Sequence, residues 1–183
     1  MDLARQSHPD KRITLWFEDE VRVGQKGRVC HCWWMRGQHP PGLCDQCHAW
    51  VHLFAAVRPA TCDRFALVIP VVSTEAMNIF LQGFSSRLPD DEHAVMVLDQ
   101  VGWHGANDLR LPHNVSLVPW PPYSPELNPV ERLWRYLRER HLSHRCVDDY
   151  DHIVDVCCRG WNQLTPERVR SLCSYPYIQQ INL

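Results

Sequence analysis

The chain has 183 residues and a mass of 21.4 kDa, with 45% hydrophobic and 22% charged residues, a composition typical of a globular domain. It contains 19 Lys and Arg against 21 Asp and Glu, a formal charge of −2, which excludes a strongly basic protein that binds nucleic acid through bulk charge alone. The nine cysteines are odd in number and unevenly spaced, so we do not expect a complete disulfide framework.

Neither a secretory signal nor a membrane span is predicted. Residues 1–11 contain no apolar run between basic residues and a small-residue cleavage site. The longest apolar stretches, such as residues 65–72, are far shorter than the roughly 20 residues needed to cross a bilayer. We therefore expect a cytoplasmic protein with reduced cysteines and no membrane partner.

The first part of the chain is rich in strand patterns. Residues 13–17 form an apolar run followed by the acids 18–20, which predicts a buried strand with charge at its end. Residues 27–35 and 49–57 predict two further strands, joined by a loop rich in Gly and Pro, so that the three form a meander. Residues 65–71 predict a fourth strand.

A helix is predicted from the cap residue Thr74, because apolar residues follow at helical spacing, and it should end before Pro89. The acids at 90–92 are interpreted as a solvated loop. Residues 94–98 are continuously apolar, which predicts a strand covered on both faces. This strand ends at Asp99.

The remaining elements are a short strand and several helices. Residues 115–118 predict the strand, and residues 120–129 contain four prolines, which excludes regular structure there. Helices are predicted from Pro129, over about 148–164, and from Thr165. Strands dominate the first part of this α/β domain, and helices are concentrated at its end.

Three acids have positions that suit metal chemistry. Asp19 and Asp99 follow buried strands, and Glu131 lies in the first turn of a helix, with 31 residues between Asp99 and Glu131. Such carboxylates can converge on two Mg²⁺ or Mn²⁺ ions roughly 3.5–4 Å apart, which is an arrangement for phosphodiester chemistry. Each acid also has a structural interpretation: Asn128 and Glu131 form a capping box, Asp99 ends a strand, and Asp19 has acidic neighbours.

Three segments carry a family resemblance: FEDEVRVGQKG at 17–27, VLDQVGWH at 97–104 and PPYSPELNPVERLW at 121–134. Together they resemble the catalytic domain of IS630 transposases, a branch of the IS630/Tc1/mariner superfamily. The resemblance implies an RNase H-like fold, a mixed central sheet flanked by helices, over residues 13–183. It also implies a DDE triad of Asp19, Asp99 and Glu131, which cleaves transposon ends and transfers strands with two Mg²⁺ ions.

Four further residues are candidates for DNA contact. Arg132, Arg135 and Arg138 recur at spacing three on the helix that carries Glu131, where DNA phosphates would approach. His104 lies where the family often has a histidine after its second aspartate. The alternatives are an Arg135–Glu139 ion pair on a solvated helix face and a structural role for the histidine.

The cysteines suggest a second type of site. Cys30, Cys32, Cys44 and Cys47 lie at the two ends of one predicted loop, so a hairpin could bring four thiolates to a Zn²⁺ ion. The C-x-C spacing is unusual for zinc, and the IS630 resemblance does not predict this site. The competing function is therefore an inactive transposase remnant or a zinc-stabilised nucleic-acid-binding module without catalysis.

The family resemblance also predicts partners. The family joins its catalytic domain to an N-terminal helix-turn-helix module, and residues 1–12, a short lead before the first strand, leave no room for one. We expect a split-frame product or a truncated copy that binds transposon-end and target DNA. A second copy of the chain and a helix-turn-helix protein from an upstream reading frame are the expected protein partners.

Overall fold

A computed structural model describes residues 1–25, 34–38, 49–99, 108–121, 124–142 and 147–180. Its centre is a five-stranded mixed sheet with the strand order β3-β2-β1-β4-β5. None of the helices within these ranges is long and apolar enough to cross a membrane.

The central strand β1, Arg12–Gly24, is longer than predicted. The acids at 18–20 were expected at its end, but they lie inside it, because β2, Trp50–Arg58, pairs antiparallel with β1 from Phe17 to Gly24. The backbone hydrogen bonds of this partner compensate for the low strand preference of acidic residues. The end-of-strand prediction was therefore wrong for β1.

The outer strand on this side is β3, Asp63–Ile69, which pairs antiparallel with β2. Most of the strand predicted at 27–35 lies outside the described residues, and its two described residues, Trp34 and Met35, are not in a strand but precede a turn. Since β1 pairs directly with β2, the strand pairing differs from the predicted meander.

On the other side of β1, β4, Glu92–Leu98, pairs with it in parallel, and β5, Val115–Pro119, pairs in parallel with β4. The buried strand predicted at 94–98 is confirmed, because every residue of β4 is buried. The interpretation of 90–92 as a solvated loop was wrong for Glu92, which is 2% exposed. This carboxylate is compensated by Arg12, whose Nη2 lies 2.8 Å from its Oε2.

Within the described residues, six α-helices flank the sheet, and four of them are N-capped by the side chain of the preceding residue: Ser73, Asn128, Asp149 and Thr165. The predicted cap Thr74 was wrong by one position, because Thr74 is the first residue of its helix. A short 3-10 turn at Pro125–Leu127 interrupts the proline-rich segment, and a π-helical turn at Arg138–Leu142 continues α3. The helices are α1 Asp2–Ser7, α2 Thr74–Ser85, α3 Pro129–Leu137, α4 Tyr150–Asn162, α5 Pro166–Leu172 and α6 Pro176–Gln180.

The two faces of the sheet carry separate cores. On one face, α2 packs its buried side chains against alternate residues of the strands, such as Trp16, Phe54 and Met96. On the other face, α3 and α5 pack against the intervening residues, such as Phe17 and Val97. Strand alternation thus decides which helices each side chain of β1 and β4 meets.

Candidate active site

Asp19 lies within β1, and Asp99 directly follows β4, the parallel neighbour of β1. The pairing of β1 with β4 ends at Phe17 and Val97, and two further residues along each strand lead to these aspartates. Adjacent strands lie about 4.8 Å apart, so the same register places the two backbones side by side. Alternation puts both carboxylates on the face that carries Phe17, Val97 and α3.

Glu131 lies at the same end of the β1–β4 pair, on a third element, α3. The helix buries Val130, Leu133 and Trp134 against the same face of the sheet, which turns its first turn towards the aspartates. The apolar spacing of these residues is that of an amphipathic helix. Glu131 is therefore at the same end of the sheet as Asp19 and Asp99, and its charge contributes to the raised pKa of Asp19.

Asn128 joins α3 to β1. Its Oδ1 accepts a hydrogen bond of 3.1 Å from the backbone N–H of Val130, which caps the helix. Its Nδ2 donates a bond of 2.9 Å to the backbone carbonyl of Glu18, and the side chain is fully buried. The predicted cap is present, but Glu131 forms no side-chain hydrogen bond within the described residues, so its carboxylate does not complete a capping box.

Trp134 fixes the orientation of Asp19. Its indole Nε1 donates a buried hydrogen bond of 2.8 Å to Oδ2 of Asp19, which is only 7% exposed. The bond leaves Oδ1 as the oxygen that can meet a ligand. Since the donor belongs to α3, the same helix positions both Glu131 and Asp19.

The site concentrates negative charge. Burial raises the pKa of Asp19 well above its ordinary value, and Glu131, Glu20 and Asp99 raise it further, while the Trp134 hydrogen bond lowers it. Burial also raises the pKa of Asp99. The pKa of Glu20 is raised by its burial and by the charges of Asp99 and Glu131. These shifts mean that a cation at this edge would stabilise the ionised carboxylates.

Glu18 lies next to this cluster, on the opposite face of β1. It is 1% exposed, and within the described ranges no donor forms a hydrogen bond with its Oε1. Burial raises its pKa well above the ordinary value, with further contributions from Glu20, Asp19 and Asp99. Negative charge is therefore disfavoured on both faces of β1 at this edge.

The donor set has the chemistry of a hard divalent cation, since carboxylate oxygens are the groups that Mg²⁺ and Mn²⁺ prefer. Among the described residues, no group of three or more His, Cys, Asp or Glu side chains is arranged so that it could already hold a metal ion. Mutual repulsion keeps like charges apart in the absence of a cation. The Glu131 side chain has no hydrogen bond to a described residue that would prevent it from approaching a bound cation.

The predicted arginines have partners in the protein. The guanidinium of Arg132 lies 3.8 Å from the ring centroid of Tyr175, and its Nη1 donates to the carbonyl of Leu172 at 3.5 Å. Arg135 pairs with Glu139 at 3.0 Å, as the structural alternative predicted. Arg132 and Arg135 are nevertheless exposed, so both remain accessible from the solvent beside Glu131.

Five predicted site residues lie outside the described part of the chain. This applies to His104 and to the four cysteines of the predicted zinc site, Cys30, Cys32, Cys44 and Cys47. Their proposed roles therefore stay predictions.

Two residues of the site have no predicted role in it. The sequence predicts Asn128 as a cap residue, and it contains Trp134 only as part of the segment at 121–134 that carries the family resemblance. Their contacts to β1 span 115 and 110 residues of sequence, respectively, so no local pattern could reveal them. The sequence contains one indication that they belong to the site, because both occur in the same segment as Glu131, residues 121–134.

The sheet order and the flanking helices define an RNase H-like fold, as expected. The chain belongs to the DDE superfamily endonuclease family, whose profile matches residues 14–154. It is 44% identical over 118 residues to the uncharacterized protein y4pE/y4sA of Sinorhizobium fredii, and this alignment covers 64% of the chain and 87% of that protein.

Solved structures of Mos1 share the fold. The Mos1 mariner paired end complex with Mn is similar with a TM-score of 0.69 and 13% identity, over 94% of this chain and 55% of the Mos1 chain. The Mos1 strand transfer complex has a TM-score of 0.64 and 14% identity, over 94% and 53% of the two chains. This chain thus spans about half the length of the Mos1 chains that it matches.

Proposed function

We propose that the chain is the catalytic domain of a DNA transposase, which cleaves transposon-end DNA and transfers the strands with Asp19, Asp99 and Glu131 as its catalytic and metal-binding residues. The proposal is supported by the position of these acids at one end of the β1–β4 pair and in the first turn of α3, where the charges of Glu131 and Asp99 raise the pKa of Asp19. Membership of the DDE superfamily endonuclease family supports it.

The three carboxylates fit two Mg²⁺ or Mn²⁺ ions by their chemistry. When bound, such ions activate the attacking oxygen and stabilise the leaving oxygen of a phosphodiester. In this chain, Trp134 holds Oδ2 of Asp19 and so restricts the orientation of the carboxylate. Asn128 holds the first turn of α3 against β1, which keeps Glu131 at a constant position relative to Asp19.

The motifs at 17–27, 97–104 and 121–134 support the IS630 branch within this class. The partners that follow are transposon-end and target DNA, and the similar Mos1 structures are a paired end complex and a strand transfer complex. A homodimer as the active complex, and a separate helix-turn-helix protein that selects the transposon end, complete the proposal. Arg132, Arg135, Arg138 and His104 are the proposed DNA contacts.

The proposal is tested by nicking of supercoiled plasmid. We expect the full chain to convert it to the open-circular form with Mg²⁺ or Mn²⁺, and not in EDTA. Asp99→Asn and Glu131→Gln should each reduce the rate by at least about a hundredfold, because each removes a metal ligand without changing side-chain size.

Asp155→Asn is the matched control, because Asp155 is an exposed acid on α4 that pairs with Arg159 away from the site. It should keep wild-type activity. Equal nicking by wild type and Asp99→Asn would overturn the catalytic assignment. A folded wild-type chain that binds Mg²⁺ but does not nick would favour the inactive remnant.

A further inference from the structure

An arginine-rich cavity lies at the end of the sheet opposite to the three acids. Its volume is about 380 Å³, and it is lined by residues at the start of β1 and β4, the β2–β3 connection and the end of α2. Arg12 precedes Asp19 by seven residues on β1, so this cavity is roughly 23 Å from the candidate active site along the strand. It is therefore a separate feature of the surface.

The charge of the lining is unbalanced. Four arginines and two acids contribute to it, an excess of two positive charges: Arg12, Arg58, Arg64, Arg87, Asp63 and Glu92. Asp63 accepts a hydrogen bond of 2.6 Å from the hydroxyl of Thr61. Within the described ranges, Arg64 and Arg87 form no ion pair with any acid. The guanidinium of Arg87 lies 6.0 Å from the centroid of the Phe65 ring, which also lines the cavity.

Buried Glu92 holds two of the arginines in place. Its Oε2 lies 2.8 Å from Nη2 of Arg12 and 3.6 Å from Nη1 of Arg58, and its Oε1 accepts a bond of 2.8 Å from Thr14. Trp16 donates in turn to the Thr14 hydroxyl at 3.1 Å. Because this network uses both oxygens of Glu92, the two guanidiniums are fixed before any ligand arrives.

Arg58 retains a donor that this network does not use. Its Nε is buried, and no acceptor in the described part of the chain bonds to it. A buried donor without an acceptor is costly, so a ligand that supplies one is favoured. An anion with several oxygens would compensate the charges of Arg64 and Arg87, and it would satisfy this donor once the Arg58 side chain turns Nε towards the cavity.

We propose that this cavity is a phosphate-binding site, with Arg58, Arg64 and Arg87 as its donors. The planar fork of arginine matches phosphate oxygens, and two positive charges in excess match the charge of the anion. Inorganic phosphate and a phosphodiester of duplex DNA share this chemistry. If the phosphate group belongs to DNA, the cavity forms a second contact with the duplex, far from the point of cleavage. Only this assignment to DNA rests on the proposed transposase function.

The site is tested by thermal unfolding of the full chain with increasing inorganic phosphate, against chloride at equal ionic strength. Phosphate should raise the Tm of the wild type, because a ligand that binds only the folded state stabilises it. Arg64→Gln/Arg87→Gln should lose most of this rise. Arg58→Lys keeps a positive charge near Glu92 but removes Nε, so its phosphate affinity should fall by about tenfold. Arg110→Gln/Arg159→Gln changes two arginines outside the cavity and should respond like the wild type.

A second measurement identifies the source of the phosphate group. Fluorescence anisotropy of a labelled DNA duplex in EDTA gives the dependence of affinity on salt. The slope is that of the logarithm of affinity against the logarithm of salt concentration. Loss of two phosphate contacts should reduce its size by roughly two in Arg64→Gln/Arg87→Gln and not in the control pair. A reduced slope supports DNA as the ligand, and an unchanged slope with loss of phosphate stabilisation supports inorganic phosphate.

The proposal is overturned if phosphate stabilises the wild type no more than chloride does. The same conclusion follows if the cavity variants, folded as judged by circular dichroism, respond to phosphate like the control pair. Neither measurement depends on nicking, so a chain that binds phosphate here but cleaves no DNA contradicts only the proposed function.

Discussion

The indole N–H of Trp134 donates a buried hydrogen bond of 2.8 Å to Oδ2 of Asp19. This bond joins the helix that carries Glu131 to the strand that carries the first aspartate. It also lowers the pKa of Asp19, against the larger effect of burial. The relation between these two residues leads to the first prediction.

Trp134→Phe should keep most of the packing but remove the donor. We expect metal-dependent nicking to fall by about ten- to a hundredfold, as is typical when a partner of a metal ligand is lost. The pKa of Asp19 should rise, so the acidic limb of the pH–rate profile should move to higher pH. Trp161→Phe, which changes a neighbouring ring 6.1 Å from Trp134, is the control and should leave the profile in place.

Asp19→Asn should stabilise the metal-free protein near neutral pH. Because the pKa of Asp19 is raised in the folded state, ionisation of this carboxyl reduces the stability as pH rises through that pKa. The amide keeps an oxygen for the Trp134 donor but carries no charge. We expect a gain on the order of 1 kcal/mol in denaturant unfolding in EDTA.

Mg²⁺ should reverse this order, because it should stabilise the wild type and not Asp19→Asn. The exposed Asp155→Asn serves as the control, with a change within about 0.5 kcal/mol in either condition. A decrease in the stability of Asp19→Asn in EDTA would contradict the electrostatic description of the site.

Asn128→Ala and Asn128→Ser should separate the two bonds of this side chain. Alanine loses both the cap of α3 and the bond to the carbonyl of Glu18, and we expect a loss of about 2–4 kcal/mol. Serine can still cap the helix but cannot reach back to β1, so its loss should be smaller by about 1 kcal/mol. If the two variants were equally stable, the cap would contribute nothing.

Glu92→Gln should destabilise the fold, because it leaves Arg12 and buried Arg58 without their carboxylate. We expect a loss of about 3 kcal/mol in urea unfolding, as for other buried ion pairs that lose one partner. Asp91→Asn is the matched control, since the side chain of Asp91 is 69% exposed and lies 3.8 Å from Nε of Arg12. A small change in both variants would show that the ion pair is not a structural requirement.

His93 should make the stability sensitive to mild acid. It is buried, its ring stacks on His8 at 3.8 Å, and its Nε2 lies 2.8 Å from the hydroxyl of Ser116. Burial lowers its pKa, and the charges of His8, His113 and Lys11 lower it further.

Since the unfolded chain then binds a proton more readily, stability should fall as pH decreases below about 6.5 and level off below the folded pKa. His93→Gln should reduce this dependence in unfolding measurements across that range. His152→Gln, which changes a histidine beside Asp148, should retain it. An unchanged pH dependence in His93→Gln would exclude this histidine as its source.

Much of the fold followed from local patterns. Continuous apolar residues predicted β4, the spacing of Met77, Phe80 and Phe84 predicted α2, and Thr165 followed by Pro166 located the start of α5. These features could be predicted because neighbours within a few residues decide them. The order of Asp19, Asp99 and Glu131 along the chain was equally visible.

Tertiary structure decided the remaining features, because they depend on contacts between residues that are distant in sequence. β1 continues through three acids since β2 provides its hydrogen bonds, and Glu92 is buried since Arg12 and Arg58 compensate its charge. The sequence by itself determined which acids stand in which elements. Only the folded chain placed them at one end of the sheet, with Trp134 holding Asp19, because strand register joins residues 80 positions apart and helix packing joins residues 115 positions apart.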